Sequence, residues 1–597
     1  MQAEEQGQMI RRRLIRATRI LFREGPAPLV RSINMSLRNP LARQYKQWLL
    51  ENPLDETDIS RMRSEMGGFP LSPVISVIIP VYNVNEEWLR KCLDSVTGQI
   101  YDEWELCIAD DASTKPHVRA VLDEYSARDS RVKVNYLERN SGISVATNAA
   151  LELATGEYIA LLDNDDELTV DALFHVARLI NEHPDADMIY SDEDKINQAG
   201  NLCEPFFKPD WSPNLLWSQM YTCHFGVYRR SIAEKIGLFR EGFDGSQDYD
   251  FVLRFTEETD KVFHIPRILY HWRIIPGSTA EKYESKDSDV PSLKALTHAM
   301  HRRGIQGIVE RGLEMGTFRV RPAIADEPLV SIIIPTRDRA ELLRRCIDSI
   351  GKRTTWPNYE ILVVDNGSRE SSTREYLDRL RQEEGFRVID FDGPFNYSAI
   401  NNRAAAMADG QYLVFLNNDT EAGTGDWLES LMEVLQFPDA GAAGAKLLYP
   451  DDTVQHAGVI LGLGGLANHA FYRTGHGRRT YFNQADVIRN YSAVTGACMM
   501  VRRETFEELG GFDEENLPVA YNDIDFCLRL RERGYLVLYT PFAILYHHEA
   551  VSRGYREDPE AYYMAKRWKD VIEEDPYYNR NLARDRFDFS LRLKNPG

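Results

Sequence analysis

The chain repeats itself. VISVIIPVYN (74–83) matches LVSIIIPTRD (329–338), LRKCLDSV (89–96) matches LRRCIDSI (343–350), and WELCIADDAS (104–113) matches YEILVVDNGS (359–368). EYIALLDNDDE (157–167) is answered by GQYLVFLNNDT (410–420). Ser76 and Ser331 are 255 positions apart, Cys92 and Cys346 254, and Asp110 and Asp365 255. Four blocks in one order at one offset make a duplicated domain. Both halves must therefore adopt the same fold, and the 597 residues divide into two large units rather than several small ones.

Within each half the apolar runs are short and almost uninterrupted, which is the pattern of parallel strands buried on both faces. A strand at 75–79, a helix at 86–96 and a strand at 104–109 make one βαβ unit, placing Asp110 and Asp111 at the end of the second strand. A third strand near 132–137 leads to a turn at Asn140 and Gly142, then to a helix and the strand 158–162. That strand stops on Asp163, Asn164, Asp165 and Asp166. Ligands bind at the carboxyl ends of strands in open α/β sheets, and crowded carboxylates become favourable around a divalent cation. An acidic tetrad alone reads as a solvated turn; its return at Asn417, Asn418 and Asp419 favours a site.

Other features recur too. FREGFDGSQDYDFVLRF (239–255) sets Asp248 and Asp250 just ahead of a helix, and the second half offers Asp523 and Asp525 in YNDIDF. LYHWR pairs His271 with His547 of LYHHE, and His548 is an additional candidate. Three stretches carry no assignment: SDEDKI (191–196), the aromatic EPFFKPDWSPNLLWSQ, and a polar tail, DPYYNRNLARDRFDFSL, expected to wrap on the body. The first strand is followed by no GxGxxG, which disfavours dinucleotide binding, and by no Gly-rich basic loop for a triphosphate.

Composition narrows the classes further. A net charge of −21 disfavours nucleic acid as a partner. Seven cysteines without a CxxC pair read as reduced thiols in the cytosol, and Cys92 and Cys346 as packing residues. The chain shows neither a ~20-residue apolar span nor a secretory signal, so a cytoplasmic location is expected. Residues 1–72 oppose the overall charge, with basic residues dominating 11–50. Ile10, Leu14, Ala17 and Leu21 give a basic amphipathic helix, which suits either an anionic membrane surface or the acidic body of the same protein.

SIIIPTRDR, VVDNGS, FNYSAINN, FLNNDT, AKLLYPDDTVQHAGVILGLGG, GGFDE, NDIDFCLRLR and YHHEAVSRG together resemble glycosyltransferase family 2, of the O-antigen and rhamnan type. The resemblance implies an α/β fold of two tandem GT-A domains, Rossmann-like and nucleotide-diphospho-sugar-binding, at 73–303 and 328–597, joined by a linker at 304–327. It implies inversion at the anomeric carbon with Asp248 and Asp523 as general bases, and Mg2+ or Mn2+ on Asp163, Asp165 and His271 or on Asp419, His547 and His548. Contacts to a dTDP- or UDP-linked donor fall to Pro80, Tyr82, Asp110, Asp111, Asn140 and Asp163, and to Pro335, Arg337, Asp365 and Asn418. A carboxylate at Asp110 or Asp365 accepts the imide hydrogen of uracil or thymine. The sequence departs from the family pattern where Asn417 replaces the first acid of the DxD motif, and where Gln247 and Asn522 precede the bases.

These readings combine into a bifunctional transferase, peripheral on the inner face of the cell membrane, that extends a lipid-linked saccharide. Two alternatives stand beside it: one catalytic half with the other as a sugar or nucleotide platform, and a non-catalytic carbohydrate-binding scaffold.

Overall fold

A computed structural model describes residues 40–275, 289–548 and 559–594. The basic helix expected near residues 10–21 and the end of YHHEAVSRG lie outside them. In the first half, β1 (Ile75–Val81), β2 (Trp104–Asp110), β3 (Val132–Tyr136), β4 (Tyr158–Leu161), β5 (Glu167–Leu168), β6 (Met188–Ile196), β8 (Gly226–Arg229) and β9 (Val262–Arg273) lie in the order β3-β2-β1-β4-β8-β6-β9-β5, with β7 (Leu202–Phe206) added to β6. All seven residues of β1 are buried, as its unbroken apolar run requires.

The second half repeats this plan. Its strands are β12 (Val330–Thr336), β13 (Tyr359–Asp365), β14 (Phe386–Asp390), β15 (Tyr412–Leu416), β16 (Thr420–Ala422), β17 (Ala440–Leu448), β22 (Cys498–Arg502) and β23 (Leu536–His547), in the order β14-β13-β12-β15-β22-β17-β23-β16. Four short strands are further decoration: β18 (Val454–His456) on β17, β21 (Arg489–Asn490) on β23, and β19 (Val459–Leu461) paired with β20 (Ala467–His469). The central strands β1 and β12 each pair in parallel with two neighbours, so the ends of β1, β2 and β4, and of β12, β13 and β15, gather at one edge of their sheet.

A small buried motif fixes the approach to each acidic strand end. Ser76 Oγ donates to Glu105 Oε1 at 2.6 Å and accepts Gly156 N at 3.0 Å; Ser331, Glu360 and Gly410 repeat this at 2.6 and 2.8 Å. A Cβ on Gly156 would lie 2.4 Å from Val74 O, and one on Gly410 2.6 Å from Ser331 N. Both glycines are therefore required by close approach.

The segment 304–327 is more than a linker. It holds an antiparallel hairpin, β10 (Gly307–Arg311) and β11 (Phe318–Pro322), whose Arg319 reaches Glu433 at 2.8 Å on the helix Trp427–Leu435. The two halves also touch directly. Asn490 accepts from Ser212 Oγ and donates to Asn214 Oδ1, each at 2.9 Å, and Tyr481 OH donates to Pro205 O at 2.9 Å. The tail expected to wrap on the body crosses to the first half, where Asp210 N donates to Pro576 O at 2.8 Å.

Candidate functional site

In the second half the ends of β12, β15 and β23 surround a cavity of about 470 Å³, lined by Pro335, Arg337, Asn418, Asp419, Asp523 and His547 among others. Asn418 Nδ2 donates to Thr336 Oγ1 at 2.9 Å, tying the acidic turn to β12. His547 Nδ1 lies 2.7 Å from Gln455 Oε1, and its Nε2 lies 3.0 Å from Asp419 Oδ1. The carbonyl oxygen accepts from Nδ1–H while Nε2–H meets the Asp419 carboxylate, and a cation that displaced the Nε2 proton would find an imidazole nitrogen and a carboxylate oxygen side by side. Burial pushes the Asp419 carboxyl up, and the hydrogen bond and charge of His547 more than offset it, so Asp419 titrates below its ordinary value.

Asp523 lies in the first turn of the helix Asn522–Glu532, inside it rather than ahead of it. Gly496 N donates to its Oδ2 at 2.7 Å and Ile524 N to its Oδ1 at 2.9 Å, and burial raises its pKa. A carboxylate held in place and made more basic suits proton abstraction. Asp525, two residues on, is fully buried against Arg529 Nε at 2.7 Å and Trp568 Nε1 at 3.0 Å.

The first half gathers a related but tighter set. Pro80, Asp163, His224 and Asp248 line a cavity of about 60 Å³. Asp163, Asp166 and His224 each offer a ligand atom, and these lie within 4.8 Å of one another. Asp166 is buried and accepts from Tyr270 OH and Arg273 N, both at 2.6 Å. Burial, then the charge of Asp163, pushes Asp165 up to about 6, but Asp165 does not line the cavity. Asp248 sits in the first turn of Gln247–Phe255, and burial raises its pKa. Asp250 is buried between Arg240 Nε at 3.0 Å and Arg254 Nε at 2.9 Å. The ion clamp, more than the helix dipole, accounts for the second acid of each pair.

His271 is not placed as the resemblance implied. Its Nδ1 meets Asp194 Oδ1, and Tyr45 OH of the helix Pro40–Glu51 donates to the other oxygen of Asp194. The cause is register. Glu167 pairs with His271, whereas its counterpart Glu421 pairs with Tyr546 and Thr420 pairs with His547. Trp272 therefore takes the station of His547, and a slip of one residue turns a strand side chain to the opposite face. The imidazole of the first half comes instead from His224, just before β8, stacked on Tyr270 with ring centroids 4.6 Å apart. His548 likewise lies off the cavity, its Nε2 2.7 Å from Glu421.

The donor contacts divide as well. Asp110 and Asp365 accept from the backbone N of Ser113 and Ser368 at 3.2 and 3.0 Å and hold their own turns. Asp111 is consumed by Ser141 N at 2.7 Å and Gly142 N at 2.9 Å; Tyr82 and Asn140 are exposed. In the second half Asn366 lines the cavity. Its Nδ2 donates to Phe391 O and Gly393 O at 3.3 and 3.0 Å, while its buried Oδ1 has no partner. His469 lines it too, with its Nδ1 2.9 Å from His456 Nδ1. Gly458 N donates to His456 Nε2 at 3.3 Å, so His456 carries its proton on Nδ1 and His469 carries its own on Nε2. His224 and His469 escaped the sequence reading because neither belongs to a repeated block, whereas Asn366 was within reach as the counterpart of Asp111 at the offset of 255.

Two sheets of one topology, each with a strand-end acid and a helix-borne aspartate lining one cavity, define tandem GT-A glycosyltransferase domains. The family model described as "Glycosyl transferase family 2" matches residues 76–237 and 331–510, together more than half of the chain, and the chain belongs to this family. Among curated relatives, the O-antigen biosynthesis protein RfbC of Myxococcus xanthus is 40% identical over 527 residues, covering 87% of this chain and 41% of that protein. The uncharacterized protein y4gI of Sinorhizobium fredii is 44% identical, covering 87% of this chain and 58% of that protein. The chain thus spans about half the length of these relatives. A solved structure of S. aureus TarS 1-349 in complex with UDP is 24% identical over 38% of this chain and 65% of that one, with a TM-score of 0.31.

Proposed function

We propose that each half transfers a sugar from a nucleotide-diphosphate donor to a growing saccharide, with inversion, and that the two halves together contribute to polysaccharide assembly of the O-antigen kind. The observation that carries this is the second-half cavity of about 470 Å³, which Asp419, His547 and Asp523 all line. Its volume falls in the range of sites that enclose small ligands. A Mg2+ or Mn2+ ion bound by Asp419 and His547, or by Asp163 and His224 with Asp166, would stabilise charge on the departing diphosphate. Asp523 and Asp248 take the proton of the acceptor hydroxyl, which needs a base of raised affinity facing the cavity. The unpartnered Oδ1 of Asn366 suits the imide N–H of uracil or thymine, which supports a UDP- or dTDP-linked donor.

The acceptor is lipid-linked on this reading, with the basic N-terminal segment resting on an anionic membrane surface. Among the described residues no helix is long and apolar enough to cross a membrane. A second reading, in which only the second half catalyses and the first is a platform, draws support from the first half's much smaller cavity of about 60 Å³. Product analysis of Asp248→Asn and Asp523→Asn separates the two. Two distinct product deficits support two active sites; a silent Asp248→Asn supports the platform.

A further inference from the structure

Three stretches without a role in the sequence meet at one buried junction between the halves. Asn579, in the tail of the second half, donates through Nδ2 to Asp192 Oδ1 and Oδ2 at 3.0 and 3.1 Å and to Lys208 O at 2.8 Å. Lys208 N donates to Asp192 Oδ1 at 2.7 Å. The side chain of Lys208 donates through Nζ to Glu193 Oε2 at 3.0 Å, to Thr222 O at 2.7 Å and to His224 O. His224 N donates to the same Glu193 Oε2 at 2.9 Å. Asp192, Glu193, Lys208 and Asn579 are all buried, at 0, 3, 0 and 5% exposure.

Asp192 and Glu193 are neighbours on β6, and Lys208 joins them, bonding the first through its backbone N and the second through its ammonium. Its main chain is held by the tail of the second half, and its ammonium holds the main chain of His224. His264 closes the Asp192 side, with Nε2 2.9 Å from Asp192 and Nδ1 2.9 Å from Asp210. Because His224 faces Asp163 and Asp166, whatever seats its backbone aims its imidazole.

We infer that the C-terminal segment of the second half is a working part of the first half's site, with Asn579 and Lys208 as positioning residues that fix His224. Neither touches the cavity; both act through the loop that carries the imidazole. The consequence for turnover rests on the reading of the first half as a metal-assisted transfer site, whereas the linkage itself does not.

The test uses the full chain, labelled with isotopic histidine, with the His224 resonance assigned by its disappearance in His224→Gln. Asn579→Ala is expected to move that resonance, and Asn490→Ala, which breaks a different contact between the halves, to leave it in place. In an Asp523→Asn background, Asn579→Ala is expected to raise the Mn2+ concentration needed for half-maximal nucleotide diphosphate release by about tenfold or more. In an Asp248→Asn background it is expected to leave turnover within about twofold. Asn579→Ser, a milder change, supplies the same comparison if the alanine chain does not accumulate. An unmoved His224 resonance overturns the inference, as does an equal response to Asn490→Ala or an equal loss in both backgrounds. If the resonance moves but the wild-type first half releases no nucleotide diphosphate, the linkage stands and the functional reading of that half falls.

Discussion

Asp523→Asn and Asp525→Asn change the same atoms two residues apart on one helix, and the structure assigns them opposite consequences. Asp525 has no exposure and meets Arg529 at 2.7 Å, Arg567 at 3.3 Å and Trp568 at 3.0 Å. Asparagine there leaves the partly exposed guanidinium groups of Arg529 and Arg567 without the buried carboxylate they bond, which costs about 1.5–3 kcal/mol. At about 2–4 °C per kcal/mol for a domain of this size, the second half should melt roughly 3–12 °C lower. Asp523 is raised by burial, so in the folded chain its ionised form is the disfavoured one. The stability penalty of that charge is full above the folded pKa and vanishes below the unfolded value of 3.8.

Asp523→Asn should therefore melt at or above wild type near pH 7–8, with the gain shrinking as pH falls toward about 3.8. Its turnover should drop by about 10²–10⁴ as the general base is lost, which is roughly 3–5 kcal/mol of barrier. Differential scanning calorimetry across pH, with nucleotide diphosphate release in an Asp248→Asn background, reads both quantities. The reasoning is refuted if Asp523→Asn melts far below wild type while Asp525→Asn melts normally, or if Asp525→Asn loses turnover without losing stability.

Three further outcomes are expected. Because burial raises Asp248, the first half should gain activity with rising pH along a limb lying above the ordinary carboxylate value, and Asp248→Asn should remove that limb from the pH–rate profile of an Asp523→Asn chain. His547→Ala should raise the half-saturating Mn2+ concentration of the second half by about tenfold or more, whereas His548→Ala should leave it within about twofold, as a metal titration of donor turnover will show. Asn366→Ala should weaken UDP binding by about 1–3 kcal/mol, roughly five- to a hundredfold by calorimetry, since it removes an oriented buried acceptor.

Much of this protein was legible in the chain itself. The duplication, the parallel strands and the acids at their ends follow from apolar periodicity and a constant offset, because a strand buried on both faces leaves little choice of residue. That Asp248 and Asp163 would line one cavity was also approachable, since the topology sends the ends of neighbouring strands to one edge.

What the sequence left open was decided by distances it does not encode. LYHWR and LYHHE share LYH, yet the sheet register offsets them by one residue, and a period of two then sends His271 to Asp194 and His547 to Asp419. His224 enters the first site only because β8 lies beside β4, and Asn579 reaches Asp192 only because the tail of one half folds onto the other. Local pattern sets which elements form; packing sets which side chains meet, because contacts between distant segments depend on register and docking geometry summed over the whole fold.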